Sequence, residues 1–276
     1  MNKNFEIYGK YSLITGAGGL LGIEHSLALL EIGSNLVITD INLERLNELK
    51  KYLNSKFPKR NIIVHEMDVT NEKSILAVQK SLEKKSIKVN ILVNNAAINP
   101  KAEKDSNINS SSRLENFSRN EWDLEISVGL TGAFLCSKIF GAKMASSGDG
   151  GCIVNIASDL SIIAPDQRLY KLKGVEEGKQ PVKPITYSVI KSGLIGLTKY
   201  LATYWAESKV RCNALSPGGI YTSQPEEFVQ KIRELIPIKR MAKSDEYRSA
   251  IQFLCSDASS YMNGHNLVMD GGRSVW

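Results

Sequence analysis

Cysteine is scarce in this chain of 276 residues, and the little there is lies scattered. Cys136, Cys152, Cys212 and Cys255 form no CxxC pair, and none of the three histidines joins them in a cluster. The pattern argues against a disulfide framework and a zinc site, and it suits a reducing, cytoplasmic compartment. Long apolar runs are also missing. The longest are strand-sized and soon broken by Lys or Glu, so no membrane-spanning helix is expected. The first residues, Met1-Asn2-Lys3-Asn4-Phe5-Glu6, lack the apolar core of a secretory signal. No repeat, linker or compositional break divides the chain, and residues 1–276 read as one domain.

Acidic side chains are outnumbered by basic ones, leaving a formal net charge of +6. Nucleic-acid binding would need a basic stripe interleaved with aromatics. The lysines are instead spread over expected helices as solvated faces, and neither nucleic acid nor membrane is expected as a partner. Apolar residues make up 42%, enough for a real core.

What is present is a rhythm of short apolar runs separated by helical patterns. Strands are expected at 11–15, 35–40, 62–70, 89–93, 152–157, 210–215 and 266–269. Apolar strands alternating with helices indicate an α/β fold with a parallel sheet covered on both faces. The first strand runs straight into Gly16-Ala17-Gly18-Gly19-Leu20-Leu21-Gly22 and then into a helix. Strand, glycine turn and helix together form a phosphate cradle: glycines let the backbone approach a pyrophosphate, and the helix start offers unpaired N–H groups. The second strand ends in Asp40, 18 residues beyond Gly22, where a carboxylate would hold an adenosine ribose and repel a 2′-phosphate. The expected cofactor is therefore NAD rather than NADP.

Further along stands Thr186-Tyr187-Ser188-Val189-Ile190-Lys191. Tyr187 and Lys191 are four apart and share a helix face. A free phenol, with a pKa of about 10, is a poor base at neutral pH, and a neighbouring ammonium favours the phenolate. Alone, such a pair is more often a surface Tyr and Lys than a site.

Taken with the rest of the chain, these residues resemble the short-chain dehydrogenase/reductase family over nearly the whole length. Thr15-Gly16 with Gly22 matches its cofactor turn, Asp68-Val69 its adenine contact, and Asn94-Asn95-Ala96-Ala97 its Asn-Asn-Ala-Gly segment. Ser158 and Tyr187-x-x-x-Lys191 match its catalytic residues, Pro217-Gly218 through Thr222 its nicotinamide-side turn, and Asp270-Gly271-Gly272 its ending. The resemblance implies a Rossmann-type doubly wound sheet of about seven strands in the order 3-2-1-4-5-6-7. It implies hydride transfer between a nicotinamide and a secondary alcohol, with Ser158, Tyr187 and Lys191 catalytic. Cofactor contacts are expected from Gly16, Gly18, Gly19, Leu20, Leu21, Gly22, Asp40, Ile41, Asp68, Val69, Asn94, Ala96, Tyr187, Lys191, Pro217, Gly218, Ile220 and Thr222, and no metal is expected. A homodimer or homotetramer is implied as well, with small residues of the Tyr187 helix (Ser188, Ser192, Gly193, Gly196) as its contact or, on the plainer reading, as packing onto the chain's own sheet.

Three departures stand out. Leu20 replaces a usual turn glycine, and Gly129 stands where the family often has a relay asparagine. Ser158 and Tyr187 are 29 residues apart, where the family usually has about a dozen between them. The extra residues, about 165–184, carry Arg168, Lys171, Lys173, Lys179 and Lys183, and a second polar loop is expected at 99–118. The insertion is either a solvated loop or a lid whose cations, Arg168 and Lys171 first, meet an anionic substrate beside Ser158. The second half also resembles a bacterial subgroup of surface-sugar and flagellin-modification enzymes, through Ala164-Pro165-Asp166-Gln167-Arg168-Leu169-Tyr170 and Met269 to Trp276. An anionic sugar or nucleotide-sugar is then the expected substrate. The alternatives are an NADP-dependent 3-oxoacyl or small-ketone reductase and a non-catalytic NAD-binding regulator.

Overall fold

The computed structural model describes residues 3–98 and 111–276. Most of the expected 99–118 loop thus lies outside the described residues; its end holds one short turn, Leu114–Asn116.

Seven strands build one sheet: β1 (Tyr11–Thr15), β2 (Asn35–Asp40), β3 (Ile62–Glu66), β4 (Val89–Asn94), β5 (Gly151–Ile156), β6 (Val210–Pro217) and β7 (Asn266–Met269). Their order is β3-β2-β1-β4-β5-β6-β7, and every neighbouring pair is parallel. The order reverses beside β1, so a crevice opens at the carboxyl ends of β1 and β4, the place where such sheets bind ligands. The expected α/β fold and strand order are both present.

Successive residues of a strand point to opposite faces, and here both faces are covered. On one, Ile14, Leu36, Ile38, Ile91, Val93 and Val154 pack under α1 (Leu20–Glu31), α2 (Leu43–Lys56) and α7 (Arg248–Cys255). On the other, Leu13, Val37, Leu92 and Ile153 meet α3 (Glu72–Lys84), α4 (Arg119–Ser146) and α5 (Ile185–Tyr204). A last helix, α6 (Glu226–Glu234), lies over the insertion after β5. Each fully buried aliphatic side chain contributes about 1.5–3 kcal/mol, and together they fix the sheet as a rigid platform.

By length and hydropathy α4 could cross a membrane, which the reading of short apolar runs did not anticipate. Half of its most apolar window is buried, however, with Cys136, Ile139, Phe140 and Met144 packed on the sheet. Two wide π-helical turns, Ser127–Thr131 and Ser137–Gly141, interrupt it where it passes the site.

Candidate active site

The cofactor side is built by backbone sterics. A Cβ at Gly22 would lie 2.4 Å from the Gly16 carbonyl oxygen and 2.6 Å from Ala17 Cα. Gly16 has φ +62° and faces Ala96 Cα at 2.8 Å from an added Cβ. These two positions therefore require glycine. Leu20 does not disturb the turn, because its half-exposed side chain points away at the first residue of α1. Asn95 closes the turn from β4: its side-chain amide donates to the Thr15 and Gly16 carbonyls, and its backbone N–H donates to the Thr15 hydroxyl.

The start of α1, like those of α5, α6 and α7, has no side-chain cap, in contrast to the three helices between them in the chain. The starts of α2 and α3 are capped by the side chains of Asn42 and Asn71, and that of α4 by a Ser118–Glu121 capping box. That of α1 is Gly19, with no side-chain cap. Its first N–H groups, at Leu20, Leu21 and Gly22, stay available to an anion, and the glycines on either side keep the approach open. At the end of β2, Asp40 is fixed by the backbone N–H groups of Gly18 and Asn42, at 3.1 and 3.0 Å. Ile41 beside it is exposed, an apolar flank for an adenine. The residues present thus fit a dinucleotide. Arg45 lies close to this turn too, its Cβ 3.2 Å from a Cβ built on Gly18. The sequence reading did not weigh that cation.

Other expected cofactor residues take varied places. Asp68 accepts from the Thr70 N–H and hydroxyl, and Val69 is buried against Gly132. Asn94 turns inward, donating to the Ser137 hydroxyl and Asn155 Oδ1, and ties β4 to α4 and β5. Pro217 ends β6, Gly218 donates to the Met269 carbonyl, and Gln224 bridges the Thr222 N–H and the Ile220 carbonyl.

Ser158, Tyr187 and Lys191 come together at the carboxyl end of β5 and the first turns of α5. Lys191 is buried and donates to the Ile156 carbonyl at 2.8 Å, its Nζ 5.6 Å from the Tyr187 ring centroid. The Ser158 hydroxyl interacts with the Tyr187 phenol and donates to Asp159 Oδ1 at 2.8 Å. Burial pushes the phenol of Tyr187 above its ordinary value; the bond with Ser158 pulls it back, and the Asp159 charge raises it. Burial pushes Lys191 down to about 8, helped by the nearby charge of Lys183. The expectation that Lys191 depresses the tyrosine is overridden here because desolvation acts on both groups, against each one's charged form.

Gly129 is also explained. A Cβ there would meet Ile190 Cγ2 at 2.8 Å, so a side chain of α5 fills the place expected for a relay asparagine.

Around this trio stand an ion pair that sequence reasoning missed and a lysine it had read only as one of several cations of the insertion. Asp159 and Arg273 form a buried ion pair at 2.8 Å directly behind Ser158. Gly271 and Gly272, both at positive φ, and Asp270, which accepts from Gly272 and Ser274, turn the C-terminal segment so that Arg273 reaches in. Lys183 places its Nζ 3.8 Å from the Tyr187 ring centroid. Lys183 lies outside α5, so helical spacing gave no signal for that contact; Arg273 gave none either, being 114 residues from Asp159.

The insertion is a packed structure. Leu169 is buried with Val229, Ile232, Ile236 and Met241, and Tyr170 packs on Phe228 of α6. Gln180 cross-braces it through Leu172 and Val175. Arg168 and Lys171, the expected substrate cations, are exposed and paired with Asp166 at 2.7 Å and Glu177 at 2.8 Å. Neither is brought to Ser158 as a free charge.

Among the described residues no group of three or more His, Cys, Asp or Glu side chains could hold a metal, and all four cysteines are free and buried.

Residues 19–274 match a family described as enoyl-(acyl carrier protein) reductase. A NAD-dependent glycerol dehydrogenase of Listeria innocua is 29% identical over 99% of this chain and 97% of its own. A D-threitol dehydrogenase of Mycolicibacterium smegmatis is 29% identical over 99% and 95%. Among solved structures, a gluconate 5-dehydrogenase from Burkholderia cenocepacia J2315, in complex with NADP and tartrate, superposes with a TM-score of 0.84 at 26% identity, covering 99% and 98% of the two chains. With its glycine turn, its seven-strand order and its Ser158, Tyr187 and Lys191, the chain belongs to the short-chain dehydrogenase/reductase family and is an oxidoreductase with dehydrogenase relatives acting on CH–OH groups.

Proposed function

We propose that the protein is a NAD-dependent dehydrogenase of a polyhydroxylated small molecule, an anionic sugar in particular. The observation that carries the reading is the meeting of Ser158, Tyr187 and Lys191 beside an uncapped glycine turn guarded by Asp40. A bound dinucleotide supplies the hydride acceptor. The chain's own groups do the rest. Ser158 orients the substrate hydroxyl and stabilises charge developing on its oxygen. Tyr187, as phenolate, takes the hydroxyl proton, and because burial opposes the phenolate, oxidation gains rate as pH rises into the alkaline range. Lys191, on the same helix face one turn on, would hold the nicotinamide ribose through its ammonium.

Relatives named for glycerol and D-threitol support a polyol chain, and the gluconate 5-dehydrogenase supports a sugar acid. The narrower place in surface-glycan or flagellin modification rests on residues 164–170 and 269–276. An acyl or small-ketone reductase fits less well, since Asp159, Lys183 and Arg273 put charges around the tyrosine. Asp40 supports NAD over NADP, while Arg45 nearby is the group that a 2′-phosphate would use.

Free, buried cysteines support a reducing, cytoplasmic compartment. Exposed Leu124 and Phe134 on α4, and Val189, Tyr200 and Tyr204 on α5, support pairing of copies into a dimer or tetramer. Gly196 is open, whereas Gly193 faces the chain's own Leu130. Size-exclusion chromatography at micromolar protein tests this.

The deciding experiment measures initial rates with NAD and NADP on glycerol, D-threitol, D-glucitol and D-gluconate. NAD-linked oxidation with D-gluconate fastest supports the full reading. A preference for NADP that Arg45→Ala abolishes overturns the cofactor assignment, and nucleotide binding with no turnover on any alcohol or ketone favours a regulator.

A further inference from the structure

Lys183 is held in an unfavourable place. It immediately precedes Pro184 and the start of α5, whose positive dipole end disfavours a cation. A second ammonium, Lys191, is close enough to feel its charge. Burial pushes Lys183 down to about 8, against the pull of Asp159 and Glu125. Neither acid is within ion-pairing distance of it, and both are committed elsewhere: Asp159 to Arg273 and Ser158, and Glu125 to a short hydrogen bond from the Thr186 hydroxyl. Among the described residues, the remaining neighbour is the face of the Tyr187 ring at 3.8 Å, a cation–π contact. The backbone is fixed too, since the Lys183 N–H donates to Gln167 Oε1 at 2.8 Å.

The other cations of the insertion differ. Arg168, Lys171 and Lys179 lie in water, each paired with an acid of the same segment. An exposed ion pair of that kind is worth about 0–1 kcal/mol and offers a substrate little. A half-buried ammonium with no counter-ion among the described residues, beside Ser158 and Tyr187, offers more.

We propose that Lys183 is the anion anchor of the substrate pocket, its ammonium receiving a carboxylate of a sugar acid whose secondary hydroxyl lies at Ser158 and Tyr187. The assignment rests on the dehydrogenase reading for the position of that hydroxyl, and it selects acid over polyol. Its ring contact sets the flexible side chain within a few bonds of the phenol oxygen, the span of a small hydroxy acid. Carboxylate binding supplies the missing counter-ion and favours the protonated lysine.

The test uses a matched pair of four-carbon probes, tartrate and threitol, which share two hydroxyls and differ in carboxylate against hydroxymethyl ends. Binding to the full chain with saturating NAD is followed by thermal shift, for wild type, Lys183→Met and Lys183→Arg. Tartrate binding should weaken at least tenfold in Lys183→Met and largely return in Lys183→Arg, with threitol binding little changed and the midpoint without probe in Lys183→Met no lower than in wild type, since that fold no longer holds the ammonium out of water. Equal loss of both probes would mark a merely structural lysine, and no loss, or no tartrate binding by wild type, would overturn the anchor outright. Turnover separates the two readings: D-gluconate and D-glucitol both left unoxidised, with tartrate still dependent on Lys183, removes the dehydrogenase assignment and leaves the anion site standing.

Discussion

The two ends of the site solve opposite problems. Around β1 and β2 a ligand would meet backbone: glycines that admit no Cβ, a helix start with no side-chain cap, and one carboxylate fixed by N–H groups. Around β5 and the start of α5 it would meet charge, buried in Lys191 and the Asp159–Arg273 pair and half-buried in Lys183. Backbone approach suits a cofactor of fixed shape, since a steric requirement is met or it is not. Buried charges suit chemistry and substrate choice, since burial and neighbours tune each of them. The cofactor end should therefore fail through geometry and the substrate end through electrostatics.

Two variants separate the ends most sharply. Tyr187→Phe removes the proton acceptor and should cut kcat/KM by about 10²–10⁴ while the NAD dissociation constant stays within about threefold. Steady-state rates with NAD calorimetry check it, and a comparable loss of NAD binding would merge the two ends. Gly22→Ala should do the reverse. Its methyl would sit 2.4 Å from the Gly16 oxygen, so the turn must open, at about 1–3 kcal/mol of overpacking, and NAD affinity should fall by about tenfold or more. Unchanged affinity would mean that the pyrophosphate lies elsewhere.

Next comes the pair behind Ser158. Arg273→Met leaves Asp159 buried without its cation and should cost about 3–5 kcal/mol in urea unfolding, whereas Asp159→Asn with Arg273→Met together should recover much of that. If the single and double variants lose equally, the C-terminal segment contributes packing rather than charge. Gly129→Asn is milder. The asparagine would collide with Ile190 and cost about 1–3 kcal/mol without raising turnover, and Ile190→Ala added to it should recover stability. A gain in kcat from Gly129→Asn alone would show that the helix can yield space for a relay side chain.

Legibility in the sequence follows the same division. Gly16 and Gly22 stand out because glycine is the one residue their backbone geometry admits, and Asp40 because it ends a strand at a fixed distance from the turn. Tyr187 and Lys191 are legible because helical spacing is local. Arg273 is not, since nothing near it shows that two turn glycines will bring it to Asp159. Nor could composition say which cations of the insertion are free. That depends on short turns setting Arg168 against Asp166 and Lys171 against Glu177, and leaving Lys183 with a ring. Gly129 reads as a lost relay until packing shows Ile190 in the space.

A last expected effect is the contribution of the two lysines of the substrate end to the pH dependence of stability. Lys191 falls from 10.5 in the unfolded chain to about 8 in the fold, and Lys183 does the same, both through burial. Below pH 8 both are charged in either state, and the fold carries the full cost of holding them. Between about pH 8 and 10.5 the unfolded chain binds more protons than the fold, so these two groups make stability rise with pH until the cost is gone. Lys191→Met should therefore be stabilised relative to wild type near pH 7, and that advantage should shrink through this window. Urea unfolding at several pH values measures it. An advantage that does not change with pH would assign the effect to packing of the methionine. One that grows with pH would place a committed carboxylate against Lys191, and the substrate end would then be neutralised much as the exposed insertion is.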